Sequence, residues 1–254
     1  MTNKAIDLNS DLGEGYGAYE VADDQALLKI VSSANIACGV HAGDPVVMDR
    51  TVGEALKNKV TIGAHIGFPD REGFGRRMMR LSLKELELTT ITQLGALSAI
   101  AQHRGARLTH ANFHGALGNL TFTDNDVAKT LIAAMKAFDP TLAFIGLPNT
   151  AAAHQAELQN VKLIKSFLAD RGYSKAGLPV ARGENGAVIH DSSAVARRIS
   201  GILQTGRLET VNGTHIDMCV DSILIHSDTP NSVELADKIR QAVDQCGFRV
   251  RSYQ

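Results

Sequence analysis

Tryptophan is absent from this 254-residue chain, and aromatic residues make up only 5% of it. Cysteine is scarce: Cys38, Cys219 and Cys246 are odd in number and form no C-x-x-C pair. A disulfide framework is therefore not expected, and a reducing compartment fits better. No apolar run approaches the roughly 18 residues of a membrane span, so no membrane association is expected. The chain starts on polar residues (Thr2, Asn3, Lys4), which predicts no secretory leader and a cytoplasmic location. Charge of one sign is also lacking: 26 Lys and Arg stand against 27 Asp and Glu, and the densest basic cluster is Arg76, Arg77 and Arg80. Such a surface offers no electrostatic footprint for nucleic acid. Neither a G-x-x-x-x-G-K-[ST] loop nor a strand-linked G-x-G-x-x-G occurs, so those two nucleotide cradles are excluded.

The hydrophobic share of 44% and charged share of 21% are ordinary for a globular protein, and the length suits one α/β barrel domain over residues 1–254. Strand-like runs alternate with helix-period segments. Strands are expected at 4–11, near 33–38, at 60–66, 107–113, 142–147, 162–169 and 222–226. Helices are expected at 24–32, 44–59, 82–104, 124–138, 150–158, from 191 or 192 to about 205, and at 231–246. Asp44-Pro45 is an N-cap followed by proline at the first helical position. Ser82 and Glu85 form a capping box, after which Leu83, Leu86, Thr90, Leu94, Leu97 and Ala101 step by three and four. A hairpin is expected around Asn212-Gly213, and 171–186 reads as a long loop. Strands separated by helices need crossover connections, which predicts a parallel sheet. A β/α barrel of about seven parallel strands is the expected fold, with a doubly wound open sheet as the alternative.

Parallel α/β folds place their sites past the carboxyl ends of the strands, and polar groups gather there. They are Asn9, Asp11 and Glu14 after the first strand, Asn35, His41 and Asp44 around the second, and His65 and Asp70 after the third. His114 and Asn119 follow the fourth, Asp170 and Arg171 the sixth, and His226, Asp228 and Thr229 the last. Interspersed glycines permit close backbone approach to a ligand. The GFGRR segment at 73–77 reads either as an anion cradle containing Arg76 or as a solvated loop. His103, His110, His154, His190 and His215 read as structural or surface groups. Cys38 reads as a small buried side chain, although His41 lies close enough in sequence to pair with a nucleophile.

These segments resemble the LamB/YcsF family. The matching stretches are NSDLGEG (9–15), SSANIACGVHAGDP (32–45), TIGAHIGFPDREGFGRR (61–77), HGAL (114–117), ADRGY (169–173), GAVIHD (186–191) and HSDTPNSVELA (226–236). They run in order over nearly the whole chain. The resemblance implies a barrel related to glycoside hydrolase and deacetylase barrels. It also implies ATP-dependent opening of 5-oxo-L-proline to L-glutamate together with separate B and C subunits. Asp11, Glu14, His41, His65, His114, Asp170 and His226 match the family's motifs. The chain departs from them at Asn112, Phe113 and Gly118, where the family usually has lysine, proline and tyrosine, and at Ile66, where it usually has proline. The lost lysine charge makes a divergent paralogue with another substrate the alternative within the family.

On this reading Asp11, Glu14, His41, His65 and His114 carry the chemistry, with Asp11 and His65 as base and orienting partner. Asn9, Asn35, Arg76, Asn119, Asp170, Arg171, His226 and Asp228 bind substrate or phosphate. A second reading has Asp11, His41, His65 and His114 hold a divalent metal that activates water in a hydrolase or deacetylase. A third is a lactam- or sugar-binding regulator without turnover. A homo-oligomer is compatible with all three.

Overall fold

Alternate residues of the first strand decide the architecture. In β1 (Ala5–Leu12), Ile6, Leu8 and Leu12 join the main apolar core, while Asp7, Asn9 and Asp11 share the opposite face. A strand with two buried faces of unlike chemistry needs a polar interior on one side and helices on the other. The computed structural model, which describes residues 4–253, provides both. The polar start at Thr2 and Asn3 lies outside the described residues.

After β1 come α1 (Asp24–Leu27), β2 (Ser33–Ala37), α2 (Pro45–Lys57), β3 (Thr61–Ile66) and α3 (Leu83–His103). Then follow β4 (His110–Phe113), α4 (Gly115–Leu120), α5 (Asn125–Phe138), β5 (Ala143–Gly146), α6 (Ala151–Leu158) and β6 (Leu163–Leu168). The chain closes with α7 (Ser192–Thr205), β7 (Arg207–Glu209), β8 (His215–Asp217), β9 (Ser222–Ile225), α8 (Ser232–Gln245) and β10 (Arg249–Val250). Strands β1 to β6 and β9 pair side by side, all parallel, and β9 returns to β1 with Asp7 opposite Ser222. The result is the closed seven-stranded β/α barrel expected from the alternation. Strand β10 adds to the start of β1, and β7 and β8 form the separate hairpin around Asn212-Gly213.

Local signals account for most helix boundaries. Asp44 caps α2 by accepting from Val46 and Val47, and the Ser82–Glu85 box is fully formed at the head of α3. Leu86, Thr90, Leu94, Leu97 and Ala101 face inward from α3, as their spacing predicts, whereas Leu83, in the first turn, is exposed. Helix α1 is shorter than the expected 24–32, because Ser32 is drawn into the barrel, its N–H donating to Leu8 O and its hydroxyl to Asp7. None of the described helices is long and apolar enough to cross a membrane.

Inside the barrel the polar groups satisfy one another. Asp7 accepts from the hydroxyls of Ser32, Ser33 and Ser222, each at 2.7 Å. Burial nevertheless raises its carboxyl above the usual range, the hydroxyls only partly offsetting that cost. Asn9 donates to Ser33, exchanges hydrogen bonds with Asn35, and Asn35 donates onward to Asp11 Oδ1 at 2.8 Å. His110 enters the same layer, its Nε2 2.9 Å from Asn35 Oδ1, and burial pushes its imidazole down to about 3. Tyr253 closes the amino end of the strands: its ring packs edge-on against His110 and its hydroxyl meets Thr109 at 3.1 Å.

His110 fits only because its neighbour across the β3–β4 pair is glycine. A Cβ at Gly63 would fall 2.1 Å from the His110 ring. Gly63→Ala is therefore expected to destabilise the protein by about 1–3 kcal/mol, the usual cost of overpacking a closed core. Urea denaturation checks this, and an unchanged midpoint would contradict the packing.

Candidate functional site

The loops after β1, β2 and β3 are packed backbone against backbone. A Cβ at Gly43 would lie 2.9 Å from Gly13 O, and one at Gly67 would lie 2.5 Å from the His41 ring. Gln93 reaches across from α3 and clamps both the N–H and the carbonyl of Gly67. This tight layering buries Glu14, which follows β1, beside His41 and His114, which follow β2 and β4, and His65, near the carboxyl end of β3.

Their donor atoms lie within 4.8 Å of one another, an arrangement able to hold a metal ion. Glu14 Oε1 is 3.4 Å from His114 Nδ1, 3.5 Å from His65 Nε2 and 3.7 Å from His41 Nε2. His65 Nε2 and His114 Nδ1 are 2.8 Å apart. The far nitrogen of His65 meets Asn112 Oδ1 at 2.7 Å, and that of His114 meets the carbonyl of Phe74 at 2.8 Å. The His41 ring stacks on that of His114, and both of its nitrogens, like Glu14 Oε1, lack a hydrogen-bond partner. Burial, reinforced by the Asp11 charge, holds the Glu14 carboxyl well above its usual range. Burial and the neighbouring imidazoles hold His41 and His114 well below theirs.

A cavity of about 480 Å³ opens beside this cluster. Asp11, His65 and His114 form one wall, and Phe113, Phe122, Phe144, Leu147 and Val180 form an apolar one. Arg76, Arg171, Arg182, Asn119 and His226 also line it. Asp11 keeps one oxygen on Asn35, while the other lies 3.7 Å from His65 Nε2. His226 Nδ1 is 2.8 Å from Asp170 Oδ1, and Thr229 donates to the other Asp170 oxygen. Burial alone would depress His226, but the Asp170 charge, their hydrogen bond and the Asp11 charge together raise it. Asp170 is correspondingly held low by His226 and Thr229 against the pull of burial.

Some expected ligand-binding residues serve other ends. Asn9 and Asn35 are fully buried beneath Asp11 and do not reach the cavity, because the lumen network takes up their amides. Arg171 lines the cavity but binds the carbonyls of Ala187 and Val180, which shapes the loop at 171–186. Asp228 holds Arg76 at 2.6 Å, while Arg77 turns away to pair with Asp70. Asp44 acts as a helix cap. Burial pushes the Cys38 thiol up to about 12, so it is no nucleophile at neutral pH. The carboxylate joined with the three histidines is Glu14, whereas Asp11 stands beside them at the cavity wall. Asn112 as the partner of His65, the Phe74 carbonyl and Arg182 carry no motif of their own, and only the fold brings them here. Gly118 is tied to Phe113, whose carbonyl would lie 2.5 Å from a Cβ there.

The LamB/YcsF family profile covers residues 6–254. The chain is 46% identical over 242 residues to a protein of Pseudomonas syringae named as a 5-oxoprolinase A-type component, spanning 95% of this chain and 94% of that protein. The crystal structure of a lactam utilization protein from Thermus thermophilus superposes with a TM-score of 0.94 at 37% identity, covering 98% of this chain and all of the other. A family 4 carbohydrate esterase from Streptomyces lividans superposes at 0.52 with 12% identity, covering 99% and 94%, and shares the barrel fold alone.

The His226–Asp170 pair generates a test of the site's electrostatics. A raised histidine stabilises below its unfolded pKa and loses that contribution as pH rises through its folded value. A depressed carboxylate stabilises above its unfolded pKa and loses that as pH falls. The attraction is therefore largest between about pH 4 and 6.5. Asp170→Asn should lower the His226 pKa in an NMR titration and destabilise more at pH 5 than at pH 9. An unmoved titration would contradict the pairing.

Proposed function

This chain belongs to the LamB/YcsF family, and on that premise we propose that it is the barrel component of a cytoplasmic 5-oxoprolinase. With B and C subunits it opens 5-oxo-L-proline to L-glutamate at the expense of ATP. The observation that carries the reading is a cavity lined side by side, from the ends of the paired strands β1 and β9, by a carboxylate, Asp11, and a histidine of raised basicity, His226.

The chemistry needs both groups. A lactam carbonyl is a poor electrophile because amide resonance stabilises it. Phosphoryl transfer from ATP, bound by the assembled complex, turns the carbonyl oxygen into a leaving group. Water then attacks the ring carbon and the C–N bond breaks. The ring nitrogen takes a proton, which leaves an acyl phosphate carrying the oxygen of that water; a second water cleaves it to the carboxylate and phosphate, and ADP departs. Asp11 accepts the proton of the attacking water through the oxygen not fixed by Asn35. His226, protonated and oriented by Asp170, delivers the proton to the departing nitrogen. The guanidinium of Arg182, exposed at the cavity rim, suits the substrate carboxylate, and Arg76 suits the phosphoryl charge. The apolar lining suits the methylene face of the ring.

Coexpression with B and C subunits, followed by ATP- and 5-oxoproline-dependent glutamate release, tests the reading. Asp11→Asn and His226→Gln are each expected to lower kcat by about 10²–10⁴-fold, the usual weight of a general acid or base. Full turnover in both variants, with circular dichroism showing an intact fold, would remove them from the mechanism. Glutamate release that ignores ATP would overturn the reaction itself.

A further inference from the structure

The two histidines that face each other across the buried cluster pose an electrostatic problem. The Phe74 carbonyl can only accept, so His114 Nε2, 2.8 Å away, carries the hydrogen. With Asn112 presenting Oδ1 2.7 Å away, the matching tautomer of His65 carries its hydrogen on Nδ1. In their neutral forms both rings then turn lone pairs, not N–H groups, toward each other across 2.8 Å. Glu14 Oε1, buried and without a hydrogen-bond partner, adds a third lone-pair donor 3.4–3.5 Å from both. A cation between them resolves the conflict. A proton is the poorer choice, since it would leave an imidazolium buried among packed rings.

We propose that Glu14 Oε1, His65 Nε2 and His114 Nδ1 bind a divalent transition-metal ion of the zinc class. Donors of a tetrahedral ion with bonds of about 2.0–2.1 Å stand about 3.3–3.4 Å apart. The three separations of 3.5, 3.4 and 2.8 Å approach that triangle. His41 stacks on His114 with the ring planes 9° apart, so its lone pair does not share the same in-plane point. A rotation of the His41 ring brings Nε2, 3.7 Å from Glu14 Oε1, toward the same ion. Imidazole nitrogens with one carboxylate favour zinc and its neighbours over magnesium or calcium, which prefer all-oxygen shells. Asn112 and the Phe74 carbonyl form the outer layer that fixes ring orientation and tautomer. His65 and His114 line the cavity, so the ion would stand at its wall beside Asp11 and polarise a carbonyl or acidify water there.

The inference is independent of the proposed reaction, because binding is measured on the chain alone, without ATP, lactam or partners. Protein stripped with EDTA is expected to take up one Zn²⁺ per chain by elemental analysis and to melt at higher temperature with Zn²⁺, but not with Mg²⁺. Co²⁺ in its place should give the intense visible absorption of a four- or five-coordinate site. Glu14→Gln and His114→Ala should abolish that absorption, and Asn112→Ala should weaken binding about 10–100-fold. If those variants do not fold, ring-nitrogen NMR of the wild type decides: Zn²⁺ should shift the signals of His65 and His114 and leave that of exposed His215 in place. Wild-type protein that takes up no stoichiometric Zn²⁺, a Co²⁺ spectrum unchanged by Glu14→Gln, or Zn²⁺ leaving the His65 and His114 signals where they were would overturn the proposal.

Discussion

A ladder of polar side chains along the barrel axis is the constraint on which the rest depends. Asp7, Asn9 and Asp11 point inward from one strand because side chains alternate along it, and a closed barrel leaves them no solvent. Each must find its partners inside. Ser33 and Asn35 from β2, Ser222 from β9 and His110 from β4 supply them, in positions set by strand register. The top rung is Asp11, which emerges at the cavity with one oxygen already engaged by Asn35. The same ladder that makes the interior tolerable thus delivers an oriented carboxylate to the site.

Around that carboxylate, two environments push titratable groups in opposite directions. Glu14 and His41 are buried under glycine loops and His114 lies beside them at the cavity, and burial drives all three toward their neutral forms. His226 is held against Asp170, and that charge, their hydrogen bond and the Asp11 charge together outweigh burial and keep the imidazole basic. The mouth thus holds neutral, lone-pair-bearing groups beside a charged pair that faces the cavity. This division lets a small site combine a place for a cation with a source of protons, in keeping with a role in lactam utilization.

Much of this was legible in the residues, and the remainder has identifiable physical reasons. The barrel followed from the β/α alternation, and α3 from the Ser82–Glu85 box and its apolar spacing. The gathering of His41, His65 and His114 followed from their places at or just past the carboxyl ends of successive strands. Helix α4 was not legible, because GALGNL is too short to show an apolar period and carries two glycines. Strand β10 is two residues long and is defined by its pairing to β1 alone. Asn9 and Asn35 looked like ligand groups, since a strand-end polar residue shows no sign of its depth below the barrel mouth. Only register distinguishes them from Asp11. Glu14 and Asp11 exchanged places for a related reason: the turn at Gly13 sends Glu14 back beneath the loops, while Asp11 remains at the wall.

The central claim is that Asp11 and His226 flank the place where a lactam binds. A crystal structure of the chain with 5-oxo-L-proline tests it most directly. The ring is expected in the cavity against these two neighbouring side chains, its carboxylate turned toward Arg182. A ligand bound elsewhere on the barrel, or one seated in the cavity out of hydrogen-bond reach of both Asp11 and His226, would contradict it.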